Sequence, residues 1–270
     1  MSEVENNAEK RIVYFEKFAH PVTAEVLARD PSISVQRLEL GSTDAENWQA
    51  LSGAHGYQIR ATRDELPDQF FAHGEFLGRC PNMLVVSSMG SGTDTIDLAD
   101  CTKAGVLVVN QAGGNAEAVA EHALALMLSL SKRVGETDQY MRAQDGIERN
   151  AFMGRNIHGK TVGIIGLGHV GRRVAALCGT LFSMRVLAFD PYLEDGDFAE
   201  RGAIKASWDD LLATADYITV HCPRTAETED FLNHKSFNQM KPGAIFINTA
   251  RGGIHDEAAL FAALDSGHLA

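Results

Sequence analysis

Three glycines, Gly166, Gly168 and Gly171, fall in a GxGxxG spacing directly after the apolar run TVGIIG and at the opening of a stretch of helical period. That context suits a dinucleotide. The first glycine permits a tight turn, the second lets a pyrophosphate approach the backbone, and the third lets helix and strand pack closely. His169 and Val170 would contribute only their backbone N–H groups to the phosphates at the helix N-terminus. Asp190 ends the next apolar run, close to the roughly 20-residue spacing at which a carboxylate takes the ribose hydroxyls. A carboxylate there disfavours a 2′-phosphate, so the residues predict NAD as cofactor over NADP. The competing reading, three packing glycines beside a surface aspartate, needs strand, turn, helix and acid to coincide by chance.

Such a turn must be carried by parallel strands. Short apolar runs at 12–15, 35–40, 57–59, 83–88 and 106–110 read as strands with helices between them. Strands joined by helices run parallel and need cover on both faces, so residues 11–110 predict a small doubly wound α/β domain. From residue 160 the pattern restarts: strands at 161–165, 185–189, 217–221 and 244–248, and helices at 168–181, 208–214 and 256–266, with a further helix before the last strand. Between the two halves, 116–134 is apolar almost all round, which predicts a buried helix, either in the core or between domains or subunits. Residues 138–156 are polar and read as loop-rich. The fold class is α/β, with two doubly wound parallel-sheet domains and a boundary at 1–110 and 111–270.

Composition sets the outer limits. The 270 residues are 45% hydrophobic, enough for real cores, and the formal net charge is −12. Negative charge opposes nucleic-acid backbones and anionic membranes, so no nucleic acid and no membrane is expected as a partner. Cys80, Cys101, Cys178 and Cys222 are far apart, with no zinc spacing and no disulfide framework, and read as reduced thiols of a cytoplasmic protein. No His–carboxylate spacing suggests a metal. Residues 1–10 have no apolar signal core, and the longest apolar stretch, 123–130, is far short of the ~20 residues a membrane span needs.

Three further stretches, GSGTDTIDLADCTKAGVLVVN from Gly90, NAEAVAEHALALML from Asn115 and INTARGGIHDEAALFAALDSGHLA from Ile247, join GLGHVG in one order. In that combination the chain resembles the D-2-hydroxyacid dehydrogenases, especially their phosphoglycerate dehydrogenase-like members, from about Arg11 onward. The resemblance implies a flavodoxin-like substrate domain, a Rossmann NAD-binding domain, usually a homodimer, and hydride exchange between NAD and a small anionic 2-hydroxy or 2-oxo acid, with 3-phosphoglycerate-like acids among the candidates. It places the catalytic arginine at Arg251, whose planar guanidinium can polarise an oxo group and bind a carboxylate. It places Ser91 and Gly92 in the loop whose N–H groups hold the substrate carboxylate, against the alternative of an ordinary Gly-rich turn. Arg60, followed by Arg63, falls where relatives keep a substrate arginine; a solvated loop position is an equal reading. For the cofactor it implies Pro191 and Tyr192 beside Asp190, Cys222 and Pro223, Thr228, and Thr249 with Ala250 next to Arg251. Arg224 departs from the apolar residue many relatives carry, and reads as a solvent-facing side chain.

Relatives continue past GHLA with a strand, a glutamate and a proton-exchanging histidine, so the resemblance implies that these 270 residues are a truncated form. His221 and His255 are poor substitutes, the first structural and the second at a position usually aliphatic. A non-catalytic NAD-binding or corepressor-like protein is the rival from another class, and another chemistry on the same scaffold, such as formate oxidation, is a third reading.

Overall fold

The computed structural model describes residues 9–146 and 148–270. The chain divides into two compact units, 1–115 and 116–270.

The first unit is a five-stranded parallel sheet of β1 (Lys10–Phe15), β2 (Ile33–Leu38), β3 (Gly56–Ile59), β4 (Val85–Ser88) and β5 (Leu107–Val109), in the order β2-β1-β3-β4-β5. This is the flavodoxin-like order. Helices α1 (Val22–Leu27), α2 (Asp44–Ser52), α3 (Gly74–Arg79) and α4 (Leu98–Ala104) connect the strands. Helix α2 opens on a capping box between Thr43 and Glu46, and α4 ends on Gly105 in the left-handed region. Its core is aromatic: Phe15, Trp48, Tyr57, Phe70 and Phe76 pack with ring centroids 4.8–6.3 Å apart. Rings at such separations add to the burial of their area.

The second unit begins with α5 (Ala116–Lys132) and α6 (Val134–Ala143), and then builds β6 (Thr161–Ile165), α7 (His169–Phe182), β7 (Arg185–Phe189), α8 (Asp195–Glu200), β8 (Ile204–Lys205), α9 (Trp208–Thr214), β9 (Tyr217–Val220), α10 (His234–Gln239), β10 (Ile245–Asn248) and α11 (Glu257–Asp265). All its strands are parallel, in the order β10-β9-β6-β7-β8, with the chain reversing direction of travel at β6. That is the Rossmann arrangement, and the crevice at the switch point lies past the carboxyl ends of β6 and β9. Strand β9 is buried along its whole length, as a central parallel strand covered on both faces must be.

One expectation needs correction. Residues 138–156 are not mainly loop: α6 continues to Ala143, and a short 3-10 turn covers Arg149–Phe152. Arg133, at φ 55°, breaks the long helix, and its guanidinium then bonds to Glu136 and to the Ala151 carbonyl. Within the single chain, α5 buries one face. Ala120, Ala123, Met127 and Ser131 form one buried stripe at helical spacing, while Leu130 is 48% exposed. Strand β8 and helix α8 were not foreseen, each being too short to show a period.

Candidate functional site

Strand pairing brings four chain segments to one edge of the second sheet. Ile165 of β6 is in register with Phe189 of β7 and Val220 of β9, and Val220 in turn with Asn248 of β10. Everything the sequence marks for the cofactor therefore follows directly from one of four adjacent strand ends.

After β6, Gly166 takes φ +88°, and a Cβ there would sit 2.7 Å from the Cys222 nitrogen. Only glycine allows both the turn and that approach. A Cβ on Gly171 would lie 2.1 Å from the Gly166 carbonyl oxygen, so its role is close packing of helix on turn. Gly168 differs: nothing lies within 4 Å of a Cβ there, so the space over it is open. It caps the fourteen-residue α7, whose first N–H groups have no partners within the helix. His169 is exposed, its Nδ1 accepting from the Arg172 guanidinium at 3.0 Å, and Val170 is half-buried. These features fit a pyrophosphate.

After β7, Asp190 is half-buried and does two tasks. Its Oδ2 accepts the Leu167 N–H at 2.9 Å and its Oδ1 the Tyr192 N–H at 3.1 Å, which ties the glycine turn to the loop carrying Pro191. Each carboxylate oxygen keeps a second lone pair for ribose hydroxyls. Tyr192 is 79% exposed, and its hydroxyl donates to Glu227 from the loop after β9, a bond that holds the phenol above its ordinary pKa.

After β9 come His221, Cys222 and Pro223. Burial pushes the Cys222 thiol up to about 11, so it stays protonated. Burial pulls His221 down to about 4, so its ring is neutral; its Nε2 pairs with Thr219 Oγ1 at 2.9 Å. Thr228 works within its own loop, donating to the Pro223 carbonyl at 2.7 Å and accepting the Thr225 N–H at 2.7 Å. Two buried side-chain atoms at neighbouring strand ends, His221 Nδ1 and Thr249 Oγ1, have no partner among the described residues. Buried polar atoms without partners are uncommon and mark a place where polar groups are due.

After β10, the loop bearing Thr249, Ala250 and Arg251 is shaped by Asn248, a residue that no motif singled out. Its Oδ1 accepts the Ala250 N–H at 2.9 Å, and its Nδ2 donates to the Arg251 carbonyl at 2.8 Å and lies 3.1 Å from His255 Nδ1. An amide N–H can only donate, so His255 Nδ1 accepts and its proton sits on Nε2. Arg251 is half-buried, with Nη1 on the Ala250 carbonyl at 2.8 Å. Arg224 is exposed, as a solvent-facing side chain is, and is also anchored. Its guanidinium pairs with Glu229 and lies against Gly253, where a Cβ would be 2.9 Å from the guanidinium carbon.

In the first unit, Ile59 and Ser88 are in register, so Arg60 and the Ser91–Gly92 turn follow neighbouring strands. The Ser91 carbonyl accepts from Asn110 at 2.9 Å and the Gly92 carbonyl from the buried Ser88 hydroxyl at 2.5 Å. In trans peptides this directs the following N–H groups away from those anchors. The Arg60 side chain is 17% exposed and 3.5 Å from Glu65; it borders a cleft of about 640 Å³ shared with Tyr14, Lys17 and Arg37. Arg63 instead donates to the Asp94 carbonyl at 3.0 Å.

A Rossmann sheet with a glycine turn, an acidic residue after the second strand and an arginine-bearing loop two strands away defines a dinucleotide-dependent α/β protein. Residues 124–270 match the family model described as "D-isomer specific 2-hydroxyacid dehydrogenase, NAD binding domain". The chain belongs to the D-isomer specific 2-hydroxyacid dehydrogenase family, and NAD is the cofactor of its second unit. It is 44% identical over 195 residues to D-3-phosphoglycerate dehydrogenase of Mycobacterium leprae and 42% identical over 196 residues to that of Archaeoglobus fulgidus, matches covering 72% and 73% of this chain. In both cases the match spans 37% of the relative's length. Among solved structures, a D-lactate dehydrogenase from Aquifex aeolicus, in complex with NAD and lactic acid, superposes with a TM-score of 0.81 at 28% identity, covering 96% of this chain and 74% of that one. Among the described residues no His, Cys, Asp or Glu cluster could hold a metal, and no helix is long and apolar enough to cross a membrane.

Proposed function

We propose that the chain serves an NAD-dependent oxidoreductase interconverting a D-2-hydroxy acid and its 2-oxo acid, with residues 1–110 binding the substrate and 111–270 the cofactor. The observation that carries this reading is the convergence of Gly168, Asp190 and the Arg251 loop on adjacent strand ends of a family NAD-binding domain. Bound nicotinamide supplies or accepts the hydride. Gly166, Gly168, His169, Val170 and Gly171 take the pyrophosphate; Asp190, Pro191 and Tyr192 the adenosine; Cys222, Pro223, Thr228, Thr249, Ala250 and Arg251 line the rest. Arg251 polarises the substrate oxo group, Ser91 and Gly92 hold its carboxylate, and Arg60 meets a second anionic group, as on a substrate resembling 3-phosphoglycerate.

The test is NADH oxidation by the full-length natural protein with hydroxypyruvate, glyoxylate, pyruvate and phosphohydroxypyruvate. We expect turnover of at least one acid, and a loss of about 10²- to 10³-fold in kcat for Arg251→Met, the scale of removing a group that stabilises developing oxyanion charge. NADH binding without turnover of any 2-oxo acid would contradict it. We further propose a cytoplasmic homodimer, since free thiols suit a reducing compartment and α5 leaves apolar surface uncovered. Sedimentation at twice 29.3 kDa is expected, and a monomer at micromolar concentration would contradict the dimer.

A further inference from the structure

The glycine turn is also held from a side that no motif marks. Leu167, between Gly166 and Gly168, is fully buried, and the peptides on both sides of it are tied. Its N–H goes to Asp190, and its carbonyl accepts Nη1 of Arg201 at 2.9 Å. Arg201 caps α8, is half-buried, and is fixed by its own backbone N–H on the Asp197 carbonyl at 3.0 Å. A guanidinium donor makes this a charge-assisted bond, stronger than one between neutral groups. The Leu167–Gly168 peptide is trans, so holding its carbonyl fixes the direction of the Gly168 N–H on the opposite side. Gly168 is also the residue with open space above it.

We infer that Arg201 is a positioning residue of the cofactor site: by gripping the Leu167 carbonyl it presets the N–H groups that open α7, so that the pyrophosphate meets a turn already ordered. An unordered turn would have to be fixed on binding, at an entropic cost subtracted from affinity. Arg201 touches no cofactor atom in this scheme. Its effect is transmitted through one peptide, and it rests on the second unit binding NAD.

The experiment compares wild type with Arg201→Met in titrations with NADH, ADP-ribose and adenosine. Binding of NADH by wild type is established first, so a failure there falls on the cofactor assignment and not on Arg201. With Met, which keeps the stem and removes the donors, NADH and ADP-ribose should weaken by the same factor, about 10-fold, as expected for losing a hydrogen bond to a charged group. Adenosine, which has no pyrophosphate, should change by less than about two-fold. A change below two-fold for NADH and ADP-ribose would overturn the proposal. Equal weakening of adenosine would also overturn it, since a loosened fold affects all three ligands alike. If the Met variant melts too low to titrate, Arg201→Lys, which keeps the charge and one reachable donor, is read in the same way with a smaller loss of about three-fold.

Discussion

His221 shows how a strand end fixes the charge of a titratable ring. Its Nε2 bonds to the buried Thr219 hydroxyl, its Nδ1 is enclosed, and burial lowers its pKa to about 4 from the ordinary 6.5. Between those two values the unfolded chain binds a proton that the native one refuses. The stability from keeping the ring neutral is thus complete above about pH 6.5 and is lost as pH falls toward 4, at most about 3 kcal/mol. Urea midpoints measured from pH 7 to 4.5 should fall more steeply in wild type than in His221→Phe; parallel profiles would contradict this. The same geometry explains why His221 is a poor acid–base candidate. Its Nε2 is taken by Thr219, and with a pKa near 4 the ring carries no proton to donate at neutral pH. The neighbouring Cys222 thiol, held near 11, likewise stays protonated and is not a nucleophile at neutral pH.

At the scale of elements, the three motif glycines divide their work, and substitution should separate the parts. Gly168→Ala meets no atom within 4 Å, so we expect an unchanged Tm but weaker NADH binding, because the methyl group enters the space a phosphate needs. Gly171→Ala places a methyl 2.1 Å from the Gly166 carbonyl and should destabilise the fold by about 1–3 kcal/mol or more, through forced backbone movement. Thermal melts paired with titrations check both, and equal Tm losses would contradict the division. The strands and the glycine turn were legible because burial on both faces leaves continuous apolar runs and the turn needs glycine. Asn248 was not legible: nothing in a sequence distinguishes an asparagine that ties Ala250, Arg251 and His255 together from a solvated one. Arg201 was hidden for the same reason, its partner being a backbone carbonyl 34 positions away. Helix α6 escaped because its polar face resembles loop composition, and because the left-handed residue that breaks the helix is Arg133, not a glycine.

For the whole molecule, each of two sheets carries its chemistry at the carboxyl ends of its strands, the anionic-substrate candidates in one unit and the cofactor candidates in the other. The order β2-β1-β3-β4-β5 puts Arg60 beside the Ser91–Gly92 turn, and β10-β9-β6-β7-β8 puts the glycine turn between Asp190 and the loop after β9. Both placements follow from parallel pairing and connections that return the chain to one edge. We propose that the selectivity of the NAD site in the second unit comes from Asp190, a carboxylate already fixed by the Leu167 and Tyr192 N–H groups and unable to turn away from a 2′-phosphate without losing them. The most direct test is a fluorescence titration of the 270-residue chain with NADH and NADPH in the same buffer. We expect saturable NADH binding at least about 10-fold tighter than NADPH, the scale of placing like charges together; NADPH binding as tightly as NADH, or no NADH binding at all, would contradict this assignment.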